Sequence, residues 1–344
     1  MPTTKTSAQI HPKNAATGAL IGLALGDAMG HPTEFADIPS IQEAAGPWRQ
    51  MELPTPAIVT DDTQMTIAVG RALHTAGSDG HISPIRLQRA IIEEFVRWYD
   101  APDNNRAPGS TCLRACSLLK SGTPWLAATQ ADSKGCGANM RVAPVGLVPF
   151  LDEEEQAGAA QLQAALTHGH PTALAASDLT AHVVRLLANG ANPTVLPHLL
   201  RQYAHANRMR YHERWLGALW KRGPGRTPGA FIARGWDEVL AALDRLDAAL
   251  AAPSPEADPC LATGGGWIAE EALATGLLCF LLFPDEPLTA LRRAACSSGD
   301  SDSIACLTGA FAGAHHGVGA WPVAWSERIE YRRTLLALGA AWDR

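Results

Sequence analysis

Gly18, Gly22, Gly26 and Gly30 recur at a strict spacing of four near the start of the chain, and Gly309, Gly313 and Gly317 repeat the device near its end. Apart from Asp27 the residues between the first four are apolar, so about 15–29 reads as a helix. A Gly inside a helix costs about 1 kcal/mol relative to Ala, so a stripe of them needs a structural return. Residues four apart share one helix face, and a face without side chains lets another backbone approach closely. The two stripes therefore predict two central helices packed face to face. Such a seam would draw together whatever sits near its ends.

Two acidic clusters are the candidates for that meeting. Thr60-Asp61-Asp62-Thr63 and Asp300-Ser301-Asp302-Ser303 each pack two carboxylates and two hydroxyls into four residues and run directly into an apolar segment. Asp, Ser and Thr favour helix N-caps, and either cluster alone reads equally well as a helix start. Taken as a pair of oxygen-only clusters, they fit a shared site for hard cations such as Mg²⁺. No His/Cys pattern in the sequence competes for that role. The two readings are compatible, because a helix start holds its side chains rigidly.

Most other segments also read as helices. In 87–99, Leu87, Ile91, Phe95 and Trp98 share one face, and similar patterns occupy about 173–189, 236–251, 269–282 and 303–316, with alternating strand patterns nearly absent. Ala-rich helices with Pro/Gly joints predict an all-α fold, a compact orthogonal bundle. It would form one domain over 15–344 behind a flexible tail, 1–14. The Pro/Gly-rich stretches 221–229 and 252–259 read as loops, too short for domain linkers.

The balance of 28 basic and 34 acidic residues, net −6, gives no basic footprint for nucleic acid. Seven Cys, at 112, 116, 136, 260, 279, 296 and 306, form no CxxC pair and predict free thiols in a reducing cytoplasm. The polar N-terminus has no signal-peptide core. The longest apolar run, Ala272 to Phe283, is shorter than the roughly 20 residues that cross a bilayer, so no membrane role is expected.

Set in order, the motifs resemble the ADP-ribosylglycohydrolase family. They are Gly18 to Gly30 followed by Glu34, Thr60 to Met65, Gly135-Cys136-Gly137-Ala138-Asn139-Met140-Arg141, Leu166-Thr167-His168, Gly264 to Ala272, and Gly299 to Ala305. The resemblance spans about 15–317 and implies hydrolysis of an ADP-ribosyl bond at a centre of two Mg²⁺ or Mn²⁺ ions. It carries the ligand role to Thr60, Asp61, Asp62, Asp300, Asp302 and Ser303; Ser303 stands where the family has Thr and lacks the methyl that restricts the rotamer. Asp61 and Asp62 become the candidate bases, with Glu34 as gate or auxiliary base. Gly135, Gly137, Ala138, Asn139 and Met140 would cradle the ligand's pyrophosphate through backbone N–H groups, and His168 would contact its adenosine side. Asp27, inside the first helix, reads as a supporting or capping residue.

The substrate implied is an ADP-ribosylated protein or another ADP-ribosyl conjugate. In arginine-specific relatives an acidic residue precedes a Gly-Asn-Thr-Thr-like turn, whereas here Ala107 stands in its place, Asp103 is displaced, and Arg106 is expected to repel a guanidinium. Arginine linkage is the first choice, with serine, nucleobase or small-molecule linkage as alternatives. Two other classes compete. A terpene synthase would need a further acid after Asp61-Asp62, where Thr63, Gln64, Met65 and Thr66 stand. An ADP-ribose-binding pseudoenzyme is disfavoured because every presumed ligand is present.

Overall fold

In the computed structural model, which describes residues 14–223 and 225–343, the glycine stripes meet. Ten helices carry the architecture: α1 (Ala15–Gly30), α2 (Asp61–Ala76), α3 (Pro84–Tyr99), α4 (Ser110–Lys120), α5 (Glu153–Ala165), α6 (Pro171–Ala188), α7 (Pro228–Ala251), α8 (Ala269–Leu282), α9 (Ser301–His316) and α10 (Arg332–Trp342). No strand forms among the described residues, only isolated bridges. The fold is all-α, as expected. Of the expected tail, 1–14, all but Asn14 lies outside the described residues.

Helices α1 and α9 run antiparallel, backbone against backbone. A Cβ placed on Gly18 would lie 2.5 Å from the Gly313 carbonyl oxygen, and one on Gly30 would lie 2.6 Å from the Asp302 backbone nitrogen. Between them Gly22 faces Gly309 and Gly26 faces Ala305. Any side chain in this row would force the helices apart, which is the return on four interior glycines. Gly317 does a different job. It terminates α9 at φ 76° while its N–H donates to the Gly313 carbonyl (2.8 Å), a left-handed helix end that only glycine adopts freely. Every α1 residue after Ala15 is buried, because α10 covers another face of it, with Gly339 against Thr17.

The remaining layers wrap this pair. Helix α8 packs on α9, α6 lies against both α5 and α7, and α3 covers α2. Helices α4 and α10 fall outside the segments expected to be helical, and two others depart from the sequence reading for identifiable reasons. Helix α7 begins at Pro228, earlier than the expected 236, because Thr227 caps it through the Ala230 N–H (3.2 Å) and proline suits the first turn. Helix α5 escapes the periodicity search because its buried face includes Gln156, Gln161 and Gln163. Gln163 donates to the Ala138 carbonyl (2.8 Å) and accepts from Arg141 (2.8 Å), so these amides are interior struts.

Candidate metal centre and nucleotide cleft

The seam ends at the acidic clusters. Because α1 and α9 are antiparallel, the last turn of α1 lies beside the first turn of α9, and Gly30 presses on Asp302. Asp27, one turn earlier, is fully buried and caps α2 from outside. Its carboxylate accepts from the Thr60 N–H (2.9 and 3.0 Å), the Thr63 N–H (3.0 Å) and the Thr63 hydroxyl (2.5 Å). The capping role expected for Asp27 is therefore the one it has, and through it the first and second motifs are fixed on each other.

Thr60 is the N-cap of α2, its hydroxyl accepting from the Asp62 N–H (3.3 Å). This leaves Asp61 and Asp62 in the first helical turn. Asp61 accepts from the Gly109 N–H (3.2 Å), whereas the Asp62 Oδ2 is buried without a partner. Asp300 precedes α9 but makes no side-chain cap; its Oδ2 accepts from the Cys136 thiol (2.8 Å). Asp302 accepts from the Ser303 N–H (2.9 Å). Capping thus accounts for Thr60 and Asp27 and leaves the carboxylates of Asp62 and Asp300 for something else.

The electrostatics point the same way. Burial first, and the neighbouring Asp302 second, push Asp27 up to about 7. Burial likewise pushes Asp61 up to about 8, and Glu34 to about 8 with Asp302 and Asp61 adding repulsion. Burial and then Asp302 hold Asp62 and Asp300 well above the usual carboxylate range. Among the described residues no Lys or Arg forms an ion pair with this group. Buried carboxylates without a counter-charge are costly, and a divalent cation is the charge that would offset them. The carboxylates and the Ser303 hydroxyl are the donor chemistry such an ion takes, whereas Thr60, fully buried with its hydroxyl spent on the Asp62 N–H, does not line the cleft.

A cleft of about 300 Å³ opens over the cluster. Glu34, Asp61, Asp62, Asp300, Asp302 and Ser303 line one part of it, and Gly135, Gly137, Met140 and His168 another. The glycines make room for the histidine: a Cβ on Gly137 would lie 3.1 Å from the His168 ring. His168 bonds the Thr167 hydroxyl through Nδ1 (2.8 Å), and burial, then the Arg141 charge, hold it well below its ordinary value, so it is neutral. Ala138 and Asn139 do not reach the cleft with their side chains. Both are fully buried; Asn139 donates its side-chain amide to the Ala269 carbonyl (3.1 Å), and the N–H groups of Asn139 and Met140 both donate to the Cys136 carbonyl (2.6 and 3.0 Å), so these two N–H groups are not free for the cradling role expected of them.

Sequence reasoning missed several cleft residues. Phe35, 72% exposed with φ 65°, stacks on Trp267, 44% exposed, with ring centroids 5.2 Å apart. A bulky residue in the left-handed region, exposed beside a candidate site, carries no signature in a single sequence. His31 and Cys136 also reach the acidic group, so its surroundings are not oxygen-only as expected. Both lie in or beside motifs that were read, but nothing in their spacing shows that their donor atoms reach the cluster. Arg106 is likewise not free to repel a guanidinium: it forms a two-pronged ion pair with Glu330 and donates to the Val59 carbonyl (3.0 Å). Ala107 lines the cleft, while Asp103 is turned to the Tyr331 hydroxyl.

Comparison with known proteins identifies the family and the fold. Residues 8–343 match the ADP-ribosylglycohydrolase family model. The ADP-ribosyl-[dinitrogen reductase] glycohydrolase of Rhodospirillum rubrum is 30% identical over 219 residues, 62% of this chain and 70% of its own. The ADP-ribosylarginine hydrolase Tri1 of Serratia proteamaculans is 27% identical over 331 residues, 91% of this chain and 75% of its own. A solved structure described as an ADP-ribosylglycohydrolase-related protein complex shares the fold, with a TM-score of 0.68 at 22% identity, covering 96% of this chain and 98% of that one. With a family match over nearly its whole length and hydrolases among its relatives, the chain belongs to the ADP-ribosylglycohydrolase family and is an enzyme of that hydrolase class.

Proposed function

We propose that this enzyme removes ADP-ribose from a modified acceptor by metal-dependent hydrolysis of the glycosidic bond at the distal ribose. One observation carries the metal dependence: Asp62 and Asp300, from segments more than 200 residues apart, are buried in one carboxylate group with which no Lys or Arg among the described residues forms an ion pair. Asp61, Asp62, Asp300, Asp302 and Ser303 would hold two Mg²⁺ or Mn²⁺ ions, which when bound supply Lewis-acid activation of water and ribose hydroxyls.

The chain's own groups divide the remaining work. Asp61 or Asp62 accepts the proton of an attacking water at a carboxylate oxygen. Glu34, at the same cleft, is the candidate gate. His168, neutral and held by Thr167, orients the adenosine side of the ligand, and the backbone at Gly135 and Gly137 faces its pyrophosphate. Arginine linkage is the preferred acceptor, supported by a relative named ADP-ribosylarginine hydrolase and by the neutralisation of Arg106 through Glu330.

The experiment is ADP-ribose release from defined arginine, serine and nucleobase conjugates, with and without exhaustive chelation. Loss with EDTA, recovery with Mg²⁺ or Mn²⁺, and inactivity of Asp302→Ala with its helical content intact are expected. Full turnover at negligible metal content would refute the metal reading. Fast cleavage of another linkage with arginine untouched would move the acceptor.

A further inference from the structure

A ring nitrogen of His31, a carboxylate oxygen of Glu34 and a carboxylate oxygen of Asp302 lie within 4.8 Å of one another. The His31 Nδ1 is buried and has no hydrogen-bond partner. We propose that these three side chains form a mixed nitrogen–oxygen cation subsite at the rim of the carboxylate cluster, selecting a transition ion such as Mn²⁺ over Mg²⁺. The inference rests on the metal reading above and adds a ligand that the reading lacks.

The subsite is built by the backbone. His31 opens the short turn His31–Thr33 that continues directly from α1. Gly30, having no side chain, lets this turn press against the first turn of α9, so His31 arrives next to Asp302. Hydroxyls pin the turn from below: Thr33 donates to the Ala295 carbonyl (2.6 Å), and Ser301 donates to the Gly30 carbonyl (2.9 Å). On its other side the chain turns at Phe35, which stacks on Trp267 and limits where Glu34 can go. The three donors thus sit on segments fixed at both ends, the preorganisation that a metal site requires.

Donor chemistry decides the ion. A buried imidazole nitrogen without a partner forfeits the hydrogen bond it had in water, and a metal bond would replace it. Mg²⁺ binds oxygen ligands and retains its waters, whereas a nitrogen ligand favours the first-row transition ions, Mn²⁺ least among them. Oxygen ligands alone would leave Mg²⁺ and Mn²⁺ poorly separated. One nitrogen biases the site toward Mn²⁺ and the ions above it in the affinity order.

Pulsed EPR of the full-length protein loaded with Mn²⁺ reads the proposed ligand directly, because a coordinated imidazole imposes ¹⁴N modulation on the manganese echo. Wild type should show the modulation. His31→Gln should lose it and bind Mn²⁺ more weakly by at least the roughly tenfold that loss of a mere supporting partner costs, while Mg²⁺ affinity changes by no more than about twofold. His168→Gln removes the other cleft imidazole and should keep the signal; this variant and wild type suffice should His31→Gln not fold. Bound Mn²⁺ without ¹⁴N modulation, a signal that disappears in His168→Gln, or equal weakening of both ions overturns the subsite and leaves the metal reading standing. Absence of any Mn²⁺ or Mg²⁺ binding in equilibrium dialysis overturns both.

Discussion

Replacing Gly18 by alanine tests whether the glycine seam holds this fold together. The new Cβ would lie 2.5 Å from the Gly313 carbonyl oxygen and 2.7 Å from the Gly317 Cα, both backbone atoms of the facing helix end. Ordinary contact is about 3.4 Å or more, so the helices must separate by most of an ångström, and no rotamer change can relieve the clash. Overpacking of this kind costs about 1–3 kcal/mol, and rigid backbone on both sides places it at the upper end. The helix-propensity gain of Ala over Gly, about 1 kcal/mol, offsets part, leaving a net loss of about 2 kcal/mol. For a chain of 344 residues the unfolding entropy is roughly 0.7 kcal/mol/K, which makes this a fall of about 3 °C in Tm. Gly70→Ala is the matched control. Its Cβ would meet only the end of the Leu338 side chain, at 2.9 Å, which can rotate away. That variant should lose little or gain. Thermal melts followed by circular dichroism at 222 nm compare the two, and Gly18→Leu should be far worse than either. Equal or higher stability of Gly18→Ala, with Gly70→Ala behaving alike, would refute the seam.

Gly30→Ala, whose Cβ would lie 2.6 Å from the Asp302 backbone nitrogen, should destabilise about as much as Gly18→Ala, about 2 kcal/mol, yet reduce ADP-ribose release at least about tenfold; kinetics beside melts separate the two effects. Burial raises Asp27 to about 7, Asp61 to about 8 and Glu34 to about 8, so between the unfolded values near 4 and these folded values the native state binds more protons than the unfolded one. Stability of chelated protein should therefore fall as pH rises from about 4 to 8, and saturating metal should flatten the slope; a chelated protein more stable at pH 8 than at pH 5 would contradict the burial argument. Ala107 lines the cleft at φ 51°, a conformation Asp tolerates better than most residues, so Ala107→Asp should fold normally. By pairing with a guanidinium it should speed release from an arginine conjugate roughly tenfold, measured against a serine conjugate that should gain nothing.

Much of the fold was legible because its strongest signals are local or periodic. Spacings of four gave α1 and its partner α9, and the 87–99 pattern gave most of α3. Where the signal is a side chain's destination, sequence reasoning failed. Gln161 and Gln163 look like surface residues and hid α5, although both are interior. Arg106 looked like an obstacle to a guanidinium because its partner Glu330 lies more than 200 residues away. His31 and Cys136 sit near motifs that were read, yet nothing in their spacing says that their donor atoms reach the cluster. Asp62 and Asp300 were legible as acids, but their lack of a counter-charge is a property of three dimensions only.

The seam and the cluster explain each other. A group of buried carboxylates opposes folding, and the elements that carry them would separate if loosely packed. Two helices with side chains between their axes typically pack 8–10 Å apart, while a glycine face permits closer approach, with carbonyls of one helix against the Cα atoms of the other. That closeness sets Gly30 against Asp302, and Asp27, one turn back on the same helix, fixes Thr60 and Thr63 and with them Asp61 and Asp62. Both acidic motifs are thus indexed to α1, one through a glycine contact and one through a capping carboxylate. Widening the seam would shift α9 against α1 while the Asp27 hydrogen bonds keep α2 in place, opening the gap between Asp302 and Asp62. The cost would fall on cation binding more than on helical content, so metal affinity is the finer gauge of the seam.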